Sequence, residues 1–128
     1  MNRILHTMLR VGNLQESITF YTQILGMKIL RTFEQTEDKY TLVFLGYDTE
    51  EDSCVIELTH NLGIDQYDMG TGFGHIAIAV KDCYAACADI SKLGGNVIRA
   101  AGKLKGSDEI IAFVSDPDGY KIELIQRN

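Results

Sequence analysis

The chain has no run of basic residues, no apolar stretch long enough to cross a bilayer, and a single proline, Pro117. Each scarcity excludes something. Lys and Arg number 12 against 18 Asp and Glu, a net charge of −6. That balance lacks the positive footprint that nucleic acid or an anionic membrane surface would need. The first residues lack a long apolar core followed by a small-residue cleavage site, so no secretory signal is expected. Cysteine is also sparse. Cys54, Cys83 and Cys87 are odd in number and have no disulfide-framework spacing. Cys83 and Cys87 lie four apart on a predicted helix, where small buried thiols are expected. Reduced thiols imply a cytoplasmic setting.

What is present is a repeat. Asp116-Pro117-Asp118-Gly119 reads as a turn: Pro117 pre-sets φ, Asp118 can bond its own backbone, and Gly119 tolerates positive φ. The strand that follows, residues 120–125, puts Ile122 and Leu124 on one face and Glu123 on the other. A carboxylate in an otherwise apolar strand is seldom buried unless it is paired or binds a metal. Ile56-Glu57-Leu58 repeats Ile122-Glu123-Leu124, and a His-led strand precedes each: His6 to Val11, and His75 to Val80. The chain therefore holds two copies of one unit, each opening with His and closing with Glu. Repeats of this kind decide architecture.

At 128 residues the chain suits one compact domain or two small modules sharing a core. Strands are expected over 4–11, 27–33, 40–47 and 54–60, with an amphipathic helix between the first two. Asn13 caps that helix, Glu16 completes a capping-box pattern, Leu14, Ile18, Tyr21 and Leu25 form its apolar stripe, and Gly26 ends it. The second copy repeats the order. A strand covers 74–80, and Asp82 caps a helix with the stripe Cys83, Ala86, Ile90 and Leu93. A short strand covers 96–99, a flexible loop 100–109, and a final hairpin 110–114 and 120–125. The expected fold is α+β, two tandem βαβββ modules in one domain. Module one covers 1–61, a connection 62–73, and module two 74–128. The connection is long for a passive one.

Strand parity puts His6 on the face of Met8 and Arg10, and His75 on the face of Ala77 and Ala79. Glu57 shares its face with Thr59 and Asn61, and His60 points the other way. If the first and last strands of each unit are neighbours, each His meets its own Glu. Two imidazoles and two carboxylates suit zinc, nickel, cobalt, iron or manganese better than calcium or magnesium. Taken singly, each His is more often a core or edge histidine; recurrence in register favours the ligand reading.

The stretches His6-Thr7-Met8-Leu9-Arg10-Val11, Phe20-Tyr21-Thr22, Leu25-Gly26-Met27, Ile56-Glu57-Leu58-Thr59-His60-Asn61, Gly72-Phe73-Gly74-His75-Ile76-Ala77 and Asp116-Pro117-Asp118-Gly119-Tyr120-Lys121-Ile122-Glu123 together resemble the glyoxalase I family of the vicinal-oxygen-chelate superfamily. The resemblance covers essentially the whole chain. It implies a homodimer of paired βαβββ modules with active sites shared between chains. It also implies a lactoylglutathione lyase reaction, the isomerisation of the methylglyoxal–glutathione hemithioacetal to S-lactoylglutathione. It puts metal ligands at His6, Glu57, His75 and Glu123, with His75 also in the substrate-binding set. Glu123 is the catalytic base, and Arg10 and Asn61 hold the γ-glutamyl end. By analogy the metal is nickel, with cobalt next and zinc after. Thr71 stands where some members carry an arginine for the glycine carboxylate; Lys103 or Arg99 are the substitutes in reach of sequence reasoning. Two rival readings stand beside this one. One is another metal-dependent member of the fold, a dioxygenase or an epimerase; a dioxygenase would need an iron site with three protein ligands and open positions, against four ligands here. A sequestering protein would need no metal set at all.

Overall fold

The computed structural model describes residues 1–128. The chain divides into two units, 1–68 and 69–128, each built on one four-stranded sheet. In the first unit the strands are β1 (His6–Arg10), β2 (Lys28–Gln35), β3 (Tyr40–Gly46) and β4 (Val55–Asn61). Their order across the sheet is β1-β4-β3-β2. In the second unit β5 (His75–Val80), β6 (Asn96–Lys103), β7 (Ile110–Ser115) and β8 (Lys121–Gln126) lie in the order β5-β8-β7-β6. The first and last strands of each unit pair in parallel and the other pairs are antiparallel. Each unit is thus the expected βαβββ module.

Burial alternates with the pleat on β8, whereas β4 is buried on both faces from Val55 to Thr59. Leu58, Ile122 and Leu124 are fully buried on the central strands β4 and β8. Removing each such side chain from water contributes about 1.5–3 kcal/mol. The opposite parity carries Glu57 and Glu123.

The helices differ between copies. α1 (Leu14–Thr19) is capped by Asn13, whose side chain accepts the Glu16 N–H at 3.0 Å; the return bond of a capping box is not made. After Thr19 the helix widens into a π-helical turn, Phe20–Ile24, with the Leu25 N–H reaching back five residues to the Phe20 carbonyl. The Thr22 hydroxyl donates to the Ile18 carbonyl at 2.6 Å, a local competitor of the regular ladder. Of the expected stripe, Tyr21 alone is fully buried. Ser17, Phe20 and Tyr21 are the buried positions, while Leu14, Ile18 and Leu25 are half-buried. α2 (Cys83–Lys92) is capped by Asp82 through the Ala85 N–H at 3.1 Å. It ends in a Schellman motif: Gly95 N–H to the Ile90 carbonyl and Gly94 N–H to the Ser91 carbonyl. The first helix makes the same pair of bonds one residue wider, Met27 to Tyr21 and Gly26 to Thr22. Of the α2 stripe, Cys83 and Ile90 are buried, but Leu93, beyond the last turn, is 57% exposed. All three cysteines are free thiols. Burial pushes the Cys83 and Cys87 thiols up from their ordinary range.

One further expectation needs correction. Residues 100–103 belong to β6 rather than to a flexible loop. The strand continues through two bulges, and the Arg99 guanidinium donates to the carbonyls of Ala100, Gly102, Ile111 and Lys103 across them. In the Asp-Pro-Asp-Gly turn, the Asp116 carboxylate organises the backbone. Asp116 is 4% exposed, and its Oδ1 accepts the N–H groups of Asp118 at 2.9 Å and Tyr120 at 2.8 Å. Gly119 has φ +96°, which any side chain would strain, and its N–H closes the turn on the Asp116 carbonyl. This turn delivers the chain into β8. Asp116→Ala, which orphans two backbone donors at a buried position, should lower stability by about 2 kcal/mol in urea unfolding; a loss below about 0.5 kcal/mol would show that the carboxylate is dispensable.

Candidate metal and substrate site

The parallel pairing of first and last strands sets the site. In the first unit His6 pairs with Val55 and Met8 with Glu57; in the second His75 pairs with Lys121 and Ala77 with Glu123. In both, the histidine lies opposite the residue two before the glutamate, so both side chains leave the same face. His6 Nε2 stands 3.6 Å from Glu57 Oε1, and His75 Nε2 stands 3.0 Å from Glu123 Oε1. Each sheet therefore presents one imidazole nitrogen and one carboxylate oxygen side by side.

These pairs fit a transition metal. Nitrogen and oxygen ligands at about 2.1 Å from one ion stand about 3.0 Å apart at right angles and about 3.4 Å apart at the tetrahedral angle. The two observed spacings lie close to those values. Glu57 gives a second indication. It is 9% exposed, and its Oε2 is buried with no hydrogen-bond partner. A buried carboxylate oxygen left unsatisfied is costly, and a cation is the partner that would relieve it. In neither unit do three His, Cys, Asp or Glu side chains converge, so each carries a two-donor half-set.

The other predicted residues fall around these pairs. Arg10 is exposed on β1, on the His6 face, opposite Thr59. Asn61 ends β4, half-buried, and donates to the Tyr67 hydroxyl at 3.1 Å. His60 lies on the other parity, lining a small recess of about 180 Å³ with Glu34, Lys39 and Thr41. Of the two substitutes for the missing arginine, one is engaged and the other is solvent-exposed. Arg99 spends its guanidinium on the four carbonyls, and Lys103 pairs with Asp108 at 3.7 Å.

Sequence reasoning missed three features. An open cavity of about 460 Å³ lies beside His75, lined among others by Thr71, Phe73, Phe113, Tyr120 and Lys121. Lys121 is the one cationic residue on that wall, exposed and without an ion-pair partner. Phe44 and Phe113 each meet a histidine edge-on, with ring centroids 5.5 Å (His6) and 5.2 Å (His75) apart. Arg31 lies 3.6 Å above the Phe44 ring centroid and is held by a two-pronged bond to Glu50. The Arg31 guanidinium holds the Glu50 carboxyl below its usual range, and Glu50 raises Arg31 in turn. None of these could be found without strand order and register, because the contacts join residues far apart in sequence.

Residues 3–124 match the model of the Glyoxalase/Bleomycin resistance protein/Dioxygenase superfamily. The lactoylglutathione lyase of Escherichia coli O157:H7 is 60% identical over 124 residues, 97% of this chain and 92% of that protein. Among solved structures, glyoxalase I from Zea mays superposes with a TM-score of 0.95 at 49% identity. That match covers 98% of this chain but only 44% of the maize chain, so the present chain spans less than half the length of that relative. The trypanothione-dependent glyoxalase I of Leishmania major superposes with a TM-score of 0.88 at 49% identity, covering 98% of this chain and 87% of that one.

Proposed function

The chain belongs to the Glyoxalase/Bleomycin resistance protein/Dioxygenase superfamily, and within it we infer that it is a lactoylglutathione lyase. It isomerises the hemithioacetal of methylglyoxal and glutathione to S-lactoylglutathione. The observation that carries the chemistry is the duplicated His–Glu pair, with the unpartnered Glu57 oxygen beside it. His6, Glu57, His75 and Glu123 would hold one divalent metal, nickel first, then cobalt, then zinc. The mixed nitrogen–oxygen donor set supports a transition metal over calcium or magnesium. When bound, the metal supplies Lewis-acid stabilisation of the negative charge that develops on the substrate oxygens.

The protein's own residues do the rest. The difficult step is removing a proton from the carbon next to a carbonyl. Glu123 takes that proton and returns it to the neighbouring carbon, a net isomerisation that needs no redox partner. Arg10 binds the γ-glutamyl carboxylate, its guanidinium matching both oxygens, and Asn61 adds a hydrogen bond there. Lys121, on the cavity wall beside His75, takes the glycine carboxylate in place of the arginine that Thr71 replaces. The cavity receives the substrate and Tyr120, edge-on to Phe73, forms part of its apolar wall. The reaction runs in the cytoplasm, which the three unpaired thiols support. No helix is long and apolar enough to cross a membrane.

The site is shared between two chains of a homodimer. Each unit presents only two donors, and four are needed; the pairing joins His6 and Glu57 of one chain to His75 and Glu123 of its partner.

Three experiments test this reading. Chelation should abolish hemithioacetal turnover and nickel should restore most of it; full activity in zinc with nickel inert would overturn the metal assignment. Glu123→Gln should lower kcat at least about a hundredfold, while Arg10→Ala and Lys121→Met should chiefly raise KM, since they remove binding remote from the proton transfer. A Glu123→Gln protein with near-normal kcat would take the base role away from that residue. Finally, His6→Ala and Glu123→Gln proteins, each inactive, are unfolded together and refolded. Random pairing makes about half the dimers mixed, each with one intact site of two, so activity should return to about a quarter of wild type. No return of activity, with mixed dimers demonstrated by tag pull-down, would refute the shared site.

A further inference from the structure

A histidine that ligates a metal must keep one ring nitrogen aimed at it. The common device is a hydrogen bond from the other nitrogen to a carboxylate or a backbone carbonyl, and removing such a partner typically weakens metal binding 10- to 100-fold. His6 and His75 have no such bond. Each touches its glutamate through Nε2 and meets a phenylalanine ring edge-on.

The two phenylalanines occupy equivalent places. Phe44 on β3 pairs with Glu57, and Phe113 on β7 pairs with Glu123. The rings meet the imidazoles at interplanar angles of 82° and 83°. The local sequences differ, Tyr-Thr-Leu-Val-Phe-Leu-Gly in β3 against Ile-Ile-Ala-Phe-Val-Ser in β7. The same perpendicular contact therefore arises twice on different local backgrounds. Phe44 is 3% exposed, so its ring is fixed by packing.

We propose that Phe44 and Phe113 are positioning residues that hold the His6 and His75 imidazoles against their glutamates, and that Arg31 braces the first of these rings. The brace is particular to one copy. Arg31 and Arg99 hold the same register place, each just past a bulge and opposite a phenylalanine. Arg31 lies over its ring, anchored by Glu50, whereas Arg99 turns to the four carbonyls. Phe44 is thus held between a guanidinium on its face and an imidazole set perpendicular to it.

The inference rests on the metal reading above, but its test does not need turnover. Nickel affinity of the full chain is measured by calorimetry, with the melting temperature of the metal-free protein recorded alongside. Phe113→Leu should weaken nickel binding about tenfold, and Phe113→Tyr, which keeps the ring, should bind as wild type does. Arg31→Met, which leaves the core untouched, should weaken binding about threefold. Adding Arg31→Met to Phe44→Leu should weaken it no further, because the guanidinium acts through the ring. Wild-type nickel affinity in both folded Phe113→Leu and Arg31→Met would overturn the proposal. So would a lowered melting temperature in those variants without a change in affinity, the mark of a purely structural role. Wild-type protein that binds nickel but turns over no hemithioacetal would break the functional reading alone; wild-type protein that binds no divalent metal would overturn both.

Discussion

The pairing of each module's first strand with its last is the constraint on which the rest depends. It is parallel, it joins segments far apart in sequence, and it has the same register in both copies. Side chains alternate along a strand, so a slip of one residue would send Glu57 or Glu123 to the opposite face. The slip would also turn Leu58, or Ile122 and Leu124, out of the apolar packing in which they are fully buried. The apolar face thus fixes the register, and the register places the donors. Stability and function are coupled through a single geometric choice, made by side chains that take no part in the chemistry.

The polar face is where the fold tolerates a cost. An unsatisfied carboxylate oxygen at a buried position would ordinarily be selected against, and a hydrophobic residue would pack there at lower cost. Glu57 keeps such an oxygen. The surrounding structure carries the difference: an Arg31–Glu50 pair and a phenylalanine lie on the same side of that sheet. A module built for stability alone would have none of these. Their presence in a sheet whose other face is ordinary hydrophobic packing separates the working surface from the structural one.

Much of this was legible in the sequence. His6, Glu57, His75 and Glu123 recur in a phrase that strand parity alone assigns to faces, and the caps at Asn13 and Asp82 announce their helices. What was hidden required contacts between elements. The π-helical turn depends on competition around Ile18 and Thr22 that no periodicity reports, and the helix buries Ser17 and Phe20 beside the expected Tyr21. β6 runs on to Lys103 because the Arg99 side chain supplies donors across two bulges, where glycine and lysine alone suggested a loop. Asp116 holds its turn because the fold brings two N–H groups within reach of its carboxylate. The phenylalanines beside the histidines are ordinary strand residues until register sets them opposite the glutamates.

Because the two copies match in register but not in detail, the chain carries its own control. Arg31 and Arg99 occupy one architectural position in one polypeptide, at the same temperature, solvent and concentration. Any difference between the two imidazoles in exchange rate, spectrum or rotamer freedom reports on local wiring, with no second protein needed as reference. Duplication has also let the helices diverge, one widened by a residue and the other regular, while the relation between first and last strand is held. A duplicated fold of this kind separates what may drift from what must stay by comparison of the molecule with itself.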